Sequence, residues 1–177
     1  NYYTTEKAWH LCDPDAEKVF KTLRNAGVKL AVVSNFDTRL GPVLRALNCD
    51  YWFDVVAVSA EVEAEKPNPT IFIKACELLG VKPEDAVHVG DDRRNDKWGA
   101  RDAGCDAWLW GSDVHSFKEV SLTTSLLLLV SKLHEPHAFL LGISLSLSLS
   151  LSAFSNCFLL TLLQLQNSIC FCCIYVC

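Results

Sequence analysis

Short apolar runs alternate with helical segments between residues 13 and 111, and this alternation restricts the fold more than any other feature of the sequence. Residues 30–33 form an apolar run without polar alternation, which predicts a strand that is buried on both faces. Similar runs recur at residues 53–58, 86–89 and 107–110. Strands that alternate with helices over short connections form right-handed crossovers and a parallel sheet. The sequence therefore predicts an α/β, Rossmann-like fold.

Turn and capping residues mark where the helices between these strands begin and end. Asp13 followed by Pro14 predicts the start of the first helix, because Asp accepts free N–H groups and Pro suits the first turn. Gly27 is typical of a helix end, since glycine readily adopts the left-handed conformation there. Asn68 and Gly80 bound another helix in the same way. Two further helices are predicted at residues 38–47 and 95–103.

Composition narrows the class of protein. The net charge is −5 and no basic stripe is present, so we expect no nucleic-acid partner. Four cysteines of the first part are scattered singly, as in reduced intracellular proteins, although the sequence does not indicate which compartment: Cys12, Cys49, Cys76 and Cys105. Residues 1–15 lack the basic start and apolar run of a secretory signal. The oligomeric state is not readable from the sequence.

The last third of the chain has a different composition. Residues 121–177 contain a single Lys and a single Glu, and residues 144–152 alternate Ser and Leu. A repeated pyrimidine dinucleotide encodes that alternation, so we interpret the segment as translated intron sequence outside the fold. The alternative is a membrane anchor at residues 138–163, which is long enough to span a bilayer but rich in Ser, and we favour it less. Cys170, Cys172 and Cys173 are too closely spaced for a usual zinc pattern.

Polar side chains follow three of the predicted strands at the points where those strands end. These residues are Ser34, Asn35, Lys66, Asp91, Asp92 and Asp96. In open parallel sheets, ligands bind beyond the carboxyl ends of the strands. A hydroxyl and a lysine can bind a phosphoryl group, and clustered carboxylates offer the hard oxygen ligands that Mg²⁺ prefers. Taken singly, each of these residues has an ordinary interpretation as a turn, a solvated loop or a helix cap, and His88 is interpreted as a core residue.

Three segments together resemble motifs of the haloacid dehalogenase superfamily of hydrolases. Residues 32–35 resemble its second motif, residues 66–72 its third, and residues 87–96 its fourth, in the same order along the chain. The resemblance covers residues 13–111, and the sequences of the motifs are most similar to those of members that carry a helical cap. It implies a Mg²⁺-dependent phosphatase that acts on a small phosphate ester through a phospho-aspartate intermediate.

The same resemblance implies roles for individual residues. Ser34 and the adjacent Asn35 are the phosphate-binding residues, together with Lys66. Lys66 is the catalytic lysine, which stabilises the nucleophile and the charge on the phosphoryl oxygens. Asp91 binds Mg²⁺, Asp96 completes the acidic site, and Asp92 is a further candidate ligand.

One motif of the superfamily has no counterpart here. The first motif, a strand ending in Asp-x-Asp, supplies the nucleophile and precedes the second motif, whereas only 33 residues precede Ser34. Asp13-Pro14-Asp15 has that spacing, but we interpret it as a helix start. We therefore expect that an N-terminal segment is missing, that residues 1–12 are the remnant of a helical cap, and that residues 13–120 form a partial core.

Loss of this strand has consequences for stability and activity. In the superfamily it lies between the strands that carry the second and fourth motifs, so its absence exposes buried backbone groups. We expect a marginally stable or aggregating chain without turnover. The alternative function is a non-catalytic module that binds phosphate or a partner. A receiver-type signalling domain is disfavoured, because no acidic pocket precedes its phosphorylated Asp.

Overall fold

The computed structural model describes residues 2, 5, 7–11, 13–134, 163–165, 168–170 and 174–175. The Ser-Leu alternation at residues 144–152 lies outside the described residues, as does all but the last residue of the candidate span at 138–163. Cys172 and Cys173 also lie outside them. In the part of the chain that is described, no helix has both the length and the apolar character needed to cross a bilayer.

Six α-helices and eight strands make up the described structure. The helices are α1 (Ala16–Asn25), α2 (Leu40–Ala46), α3 (Ser59–Val62), α4 (Thr70–Leu79), α5 (Gly99–Asp102) and α6 (Phe117–His134). The strands are β1 (His10–Leu11), β2 (Lys29–Ser34), β3 (Val55–Val58), β4 (Ala86–Gly90), β5 (Asp106–Leu109), β6 (Leu163–Leu165), β7 (Ser168–Cys170) and β8 (Ile174–Tyr175). A π-helical turn, Arg93–Trp98, leads directly into α5.

The main sheet has five strands in the order β3-β2-β8-β4-β5. β2 pairs parallel with β3, with Ser34 opposite Val58, and β4 pairs parallel with β5, with Gly90 opposite Leu109. All of β4 and all of β2 beyond Lys29 are buried, which explains their uninterrupted apolar sequences. The predicted α/β, Rossmann-like class is therefore confirmed.

The sequence predicts that the central strand is missing and that the tail lies outside the fold. The centre of this sheet differs from both predictions. β8, from the tail, lies between β2 and β4 and pairs antiparallel with both. β2 and β4 are buried on both faces, so the backbone N–H and C=O groups on their facing edges need hydrogen-bond partners. The apolar tail segment β8 supplies some of these partners. A second sheet, in the order β1-β7-β6, also uses tail segments.

The predicted end of the core at residue 120 falls inside α6. Phe117, Val120 and Thr124 are buried on the inner side of this helix, so the structure continues past the expected boundary. Asp13 joins α6 to the start of α1, because its Oδ2 accepts a hydrogen bond from the Phe117 N–H at 3.1 Å. The division of the chain at residues 12 and 120 stays a prediction.

Glycines follow the ends of α1 and α4 as predicted, but α1 begins at Ala16, after an N-cap at Asp15, rather than at Pro14. Gly27, two residues after the end of α1, and Gly80, directly after α4, adopt positive φ angles of 86° and 67°. Asn68 accepts a hydrogen bond from the Thr70 N–H at 3.0 Å at the start of α4. Aromatic packing then fills the core, where Phe20 of α1 stacks on Trp52 with ring centroids 5.4 Å apart.

Candidate phosphoryl-binding site

The carboxyl ends of β2 and β4 carry the predicted polar residues to one edge of the sheet. Ser34 is the last residue of β2 and is only 6% exposed. Gly90 ends β4, and Asp91 follows it immediately. Lys66 comes from the loop before α4, which packs on both β2 and β3.

Asn35 holds the backbone of Lys66 in place. Its Nδ2 donates a hydrogen bond to the Lys66 carbonyl at 3.0 Å, and its Oδ1 accepts one from the Lys66 N–H at 2.6 Å. This two-point contact joins the end of β2 to a loop 31 residues later in the chain. These contacts position the backbone of Lys66. The sequence predicted Asn35 as a phosphate-binding residue beside Ser34, and that role stays a prediction.

Lys66 and Asp96 form a buried ion pair. Lys66 Nζ lies 2.7 Å from Asp96 Oδ1, and the two side chains are only 7% and 3% exposed. Removing one partner from such a pair leaves an uncompensated buried charge, which is far more costly than loss of an exposed pair. The ammonium group is therefore held in one position beneath the edge of the sheet.

His88 also contacts Asp96. The ring is fully buried, its Nε2 lies 3.0 Å from Asp96 Oδ1, and its edge packs against Phe72 of α4. Burial, together with the positive charge of Lys66, lowers the pKa of His88 well below its ordinary value. The imidazole is therefore neutral and donates its Nε2–H to the Asp96 carboxylate. The sequence identified His88 as a core residue but not as a part of this network.

Two glycines permit the close approach of these segments. A Cβ atom on Gly90 would overlap the carboxyl group of Asp96. A Cβ on Gly99 would lie 2.8 Å from the Pro67 carbonyl oxygen, so Gly99 allows α5 to pack against the loop that carries Lys66. Gly90 lies within the segment that resembles the fourth motif, and the structure supplies the steric reason for both glycines.

Asp92 is occupied as a helix cap. Its Oδ1 accepts hydrogen bonds from the Arg94 N–H at 2.9 Å and the Asn95 N–H at 2.6 Å, where the π-helical turn begins. Its own N–H donates to Asp96 Oδ2 at 2.9 Å. The side chain of Asp92 therefore serves local structure first, which makes it a poorer candidate ligand than Asp91.

Asp91 lies exposed at the edge, next to the buried network. Partial burial of its carboxyl group, and then the negative charge of Asp96, raise the pKa of Asp91. Such a surplus of negative charge is suited to a divalent cation. Among the described residues, however, no three His, Cys, Asp or Glu side chains converge closely enough to form a metal site by themselves.

The segments that form this site match those of a known family of hydrolases. The family model described as haloacid dehalogenase-like hydrolase matches residues 2–104, which is more than half of the chain. The chain belongs to this family. The resemblance of the three motifs is thereby confirmed, and members of the family include named phosphatases.

Individual relatives agree with this assignment. The chain is 39% identical over 107 residues to haloacid dehalogenase-like hydrolase domain-containing protein 3 of Xenopus laevis, covering 60% of this chain and 43% of the relative. It is 42% identical over 104 residues to the glyceraldehyde 3-phosphate phosphatase of Methanopyrus kandleri, covering 58% and 45%. The chain thus spans less than half the length of the curated relatives that it matches.

Solved structures of the family share the fold. The crystal structure of a HAD phosphatase from Thermococcus onnurineus superposes with a TM-score of 0.57 at 31% identity. The superposition covers 60% of this chain and 55% of that one. The family fold therefore extends over the part of the chain that carries Ser34, Lys66 and Asp91.

Proposed function

We propose that the edge formed by Ser34, Lys66 and Asp91 binds the phosphoryl group of a small phosphate ester, and that the whole protein is a phosphatase. The observation that carries this proposal is the buried Lys66 ammonium, held by Asp96 beside the end of β2. A fixed ammonium group at the carboxyl edge of a parallel sheet is suited to a phosphoryl oxygen.

Each residue of the site has a physical role in this proposal. The Ser34 hydroxyl donates a hydrogen bond to a phosphoryl oxygen, and Lys66 neutralises charge on the phosphoryl group. Asn35 and Asp96 hold Lys66 before the ligand arrives, so little reorganisation accompanies binding. Phosphoryl transfer depends mainly on such positioning and electrostatic stabilisation.

The carboxylates fit a bound Mg²⁺. Asp91 is the main candidate ligand because it is exposed at the edge and lies close to the negative charge of Asp96. Asp96 is the second candidate through Oδ2, which accepts one backbone hydrogen bond, and Asp92 is the weakest because it caps the π-helical turn. Mg²⁺ would supply positive charge that stabilises the phosphoryl oxygens.

The resemblance to the family suggests the covalent step in the whole protein. An aspartate carboxylate attacks phosphorus, the ester P–O bond breaks, and the leaving alkoxide takes a proton from the second aspartic acid of the family's Asp-x-Asp motif. Water then hydrolyses the acyl phosphate and releases inorganic phosphate. No apolar strand ending in Asp-x-Asp precedes Ser34 in this sequence, so we expect that this chain binds phosphate but does not turn over.

Calorimetric titration of the full chain with inorganic phosphate, in the presence of Mg²⁺, tests the binding site. We expect saturable binding that Lys66→Gln weakens by at least about tenfold, because a charge-assisted hydrogen bond is lost. Lys74→Gln is the matched control, since Lys74 pairs with Glu77 on the exposed face of α4. Equal affinity in both variants would contradict the site.

A second candidate function is a non-catalytic module that binds phosphate or a partner, which the missing Asp-x-Asp motif favours for this chain taken alone. Assay with p-nitrophenyl phosphate and Mg²⁺ separates the two. Turnover that Asp91→Ala abolishes would refute the non-catalytic module and the expected inactivity together. Phosphate binding without turnover is the outcome that we expect.

A further inference from the structure

Two cysteines that are scattered singly in the sequence lie in contact in the structure. Cys76 belongs to the last turn of α4, and Cys105 directly precedes β5. Their Sγ atoms lie 3.9 Å apart, although the two residues are 29 positions apart in the chain. Both residues are buried, with exposed fractions of only 1% and 4%. The fold therefore brings two thiols together inside the core.

This contact lies between the two parallel pairs of the main sheet. α4 packs on β2 and β3, so Cys76 is attached to that pair of strands. Cys105 leads into β5, which pairs with β4. Because Cys105 precedes its strand, it lies at the opposite edge of the sheet from Ser34 and Asp91. A covalent bond between the two thiols would join the two pairs of strands without reaching the candidate phosphoryl site.

Both cysteines lie next to glycines that end or begin a segment. Gly80, with a φ of 67°, ends α4 four residues after Cys76, and Gly104, with a φ of 89°, directly precedes Cys105. The ends of helices and strands open locally at a lower cost in free energy than their centres do. A disulfide requires the two Sγ atoms to be about 2.05 Å apart, so an approach of about 2 Å at these two ends is sufficient.

We propose that Cys76 and Cys105 form a redox pair, which hydrogen peroxide converts into a reversible disulfide bond. One thiolate attacks a peroxide oxygen, the O–O bond breaks, and a sulfenic acid and hydroxide form. The other thiolate attacks that sulfur, the S–O bond breaks, and a second hydroxide leaves. The two protons from the thiols convert both hydroxides into water. Two thiols thus lose two electrons, and one hydrogen peroxide is reduced to two waters.

Contact between the thiols directs the reaction to a disulfide. The second thiol intercepts the sulfenic acid within the same molecule, before a further peroxide oxidises it. Buried thiols react only when the core opens, so a small, uncharged oxidant is suited to them. Cys49 is also buried, but its Sγ donates to the Leu44 carbonyl at 3.4 Å, and burial raises the pKa of its thiol to about 12. Cys49 is therefore the internal control.

Peptide mapping of the full, unaltered chain by mass spectrometry tests the pair. After treatment with hydrogen peroxide, trypsin should release residues 75–93 joined to residues 102–118, and each of these peptides contains one cysteine. The peptide of residues 46–74, which contains Cys49, should stay unlinked. Dithiothreitol should separate the joined peptides. Failure to find them, with the two thiols intact, oxidised only to sulfinic acid or bonded to other cysteines, would overturn the proposal.

The same treatment in concentrated urea shows whether the fold directs the bond. The chain has nine cysteines, so in the unfolded state Cys76 encounters eight others. The bond between Cys76 and Cys105 should therefore be several-fold less abundant in urea than in the folded chain. Equal abundance under both conditions would contradict the proposal, because the contact in the core would then have no part in the reaction.

Thermal unfolding tests whether the bond connects the two pairs of strands. A disulfide that closes a loop of this length restricts the unfolded chain, so peroxide should raise the Tm of the unaltered chain by about 5 °C more than that of Cys76→Ala. Cys49→Ala is the matched control and should keep the full rise. Equal shifts in Cys76→Ala and the unaltered chain would contradict the bond. Phosphate affinity is a separate property, so failure of phosphate binding would leave this proposal untouched.

Discussion

The ion pair between Lys66 and Asp96 is the interaction on which the candidate site depends most. Both side chains are buried, so Lys66→Gln leaves the Asp96 carboxylate without its cation. We expect this variant to lower the free energy of unfolding by about 3–5 kcal/mol, measured by urea denaturation. His88 and the Asp92 N–H still donate to Asp96, which places the expected loss toward the lower end.

An exposed ion pair provides the control for this prediction. Lys74→Gln removes a pair on the surface of α4 and should change the free energy of unfolding by less than about 1 kcal/mol. The double variant Lys66→Met with Asp96→Leu should be less destabilised than Lys66→Gln, because no buried charge remains unpaired. Equal decreases in the free energy of unfolding for Lys66→Gln and Lys74→Gln would mean that the buried ion pair contributes no more to stability than the exposed one.

Gly90 is required because Asp96 occupies the space of its absent side chain. We expect Gly90→Ala to lower the free energy of unfolding by about 1–3 kcal/mol, as overpacking does, and to weaken phosphate binding as Asp96 shifts. Gly41→Ala in α2 is the matched control, since its nearest neighbour would be Arg45 Nη1 at 3.5 Å. Because glycine is unfavourable within a helix, Gly41→Ala should instead raise the free energy of unfolding by up to about 1 kcal/mol. A stabilising effect of Gly90→Ala would contradict the steric role.

Asp106 links stability to pH. Burial raises the pKa of its carboxyl group above 3.8, an effect that the Ala107 N–H partly offsets, and Oδ2 accepts no hydrogen bond from the described residues. The folded state therefore favours the protonated form, so Asp106 lowers stability as the pH rises from 3.8 through the folded-state pKa.

Asp106→Asn removes this dependence. The free energy of unfolding of the variant, relative to the unaltered chain, should increase as the pH is raised through that range, measured by urea denaturation at each pH. Asp102→Asn, on the exposed surface of α5, controls for the general effect of one fewer charge. A difference that does not vary with pH would show that the Asp106 carboxyl group is not perturbed.

At the scale of elements, Asp13 joins the first and last helices of the described core. Its Oδ1 accepts the Asp15 N–H at 2.8 Å before α1, and its Oδ2 accepts the Phe117 N–H at 3.1 Å at the start of α6. Asp13→Ala should lower the free energy of unfolding by about 1–2 kcal/mol, as loss of a helix cap does.

The same variant tests the interpretation of Asp13-Pro14-Asp15 as a helix start. Phosphate affinity should stay unchanged in Asp13→Ala, because its carboxylate is engaged by backbone N–H groups at these two helices. Asp15→Ala is the matched control, since Asp15 makes no side-chain capping bond to α1 and should cost less. A loss of phosphate binding in Asp13→Ala would contradict the helix-start interpretation.

Local signals explain which elements could be predicted. β2 and β4 were predicted within one residue at each end, because their apolar runs and the polar residues after them are local features. The helix predicted at residues 95–103 begins instead as the π-helical turn at Arg93, since Asp92 captures two backbone N–H groups. Such a turn does not alter the apolar periodicity, so the sequence pattern does not reveal it.

The placement of the candidate residues at one edge of the sheet was predictable, but their contacts were not. Ser34, Lys66 and Asp91 follow strand ends, and strand ends meet at one edge of a parallel sheet. The contacts of Asn35 with Lys66 and of His88 with Asp96 depend on how separate segments pack. His88 lies in an apolar strand, and only the three-dimensional arrangement indicates that its ring faces a carboxylate.

At the scale of the whole molecule, the sheet consists of two parallel pairs on either side of β8, which share one hydrophobic core. β8 joins the pairs through backbone bonds, while Lys66 with Asp96, and Phe72 with His88, join them through side chains. Among the described residues, the backbone pairing between the two halves of the sheet runs through a strand of only two residues. This supports the expectation of a marginally stable chain, which stays a prediction.

The contribution of β8 to this stability can be measured directly. Ile174→Pro removes a donor between two buried strands, so we expect the free energy of unfolding to fall by about 1–3 kcal/mol. Amide exchange in β4 and β5 should accelerate, because β4 loses its backbone pairing with β8. Ile169→Pro, in the other sheet, should leave that exchange unchanged. Equal exchange in both variants would show that side chains alone join the two parallel pairs. Reversible, cooperative unfolding of the unaltered chain at high temperature would contradict marginal stability.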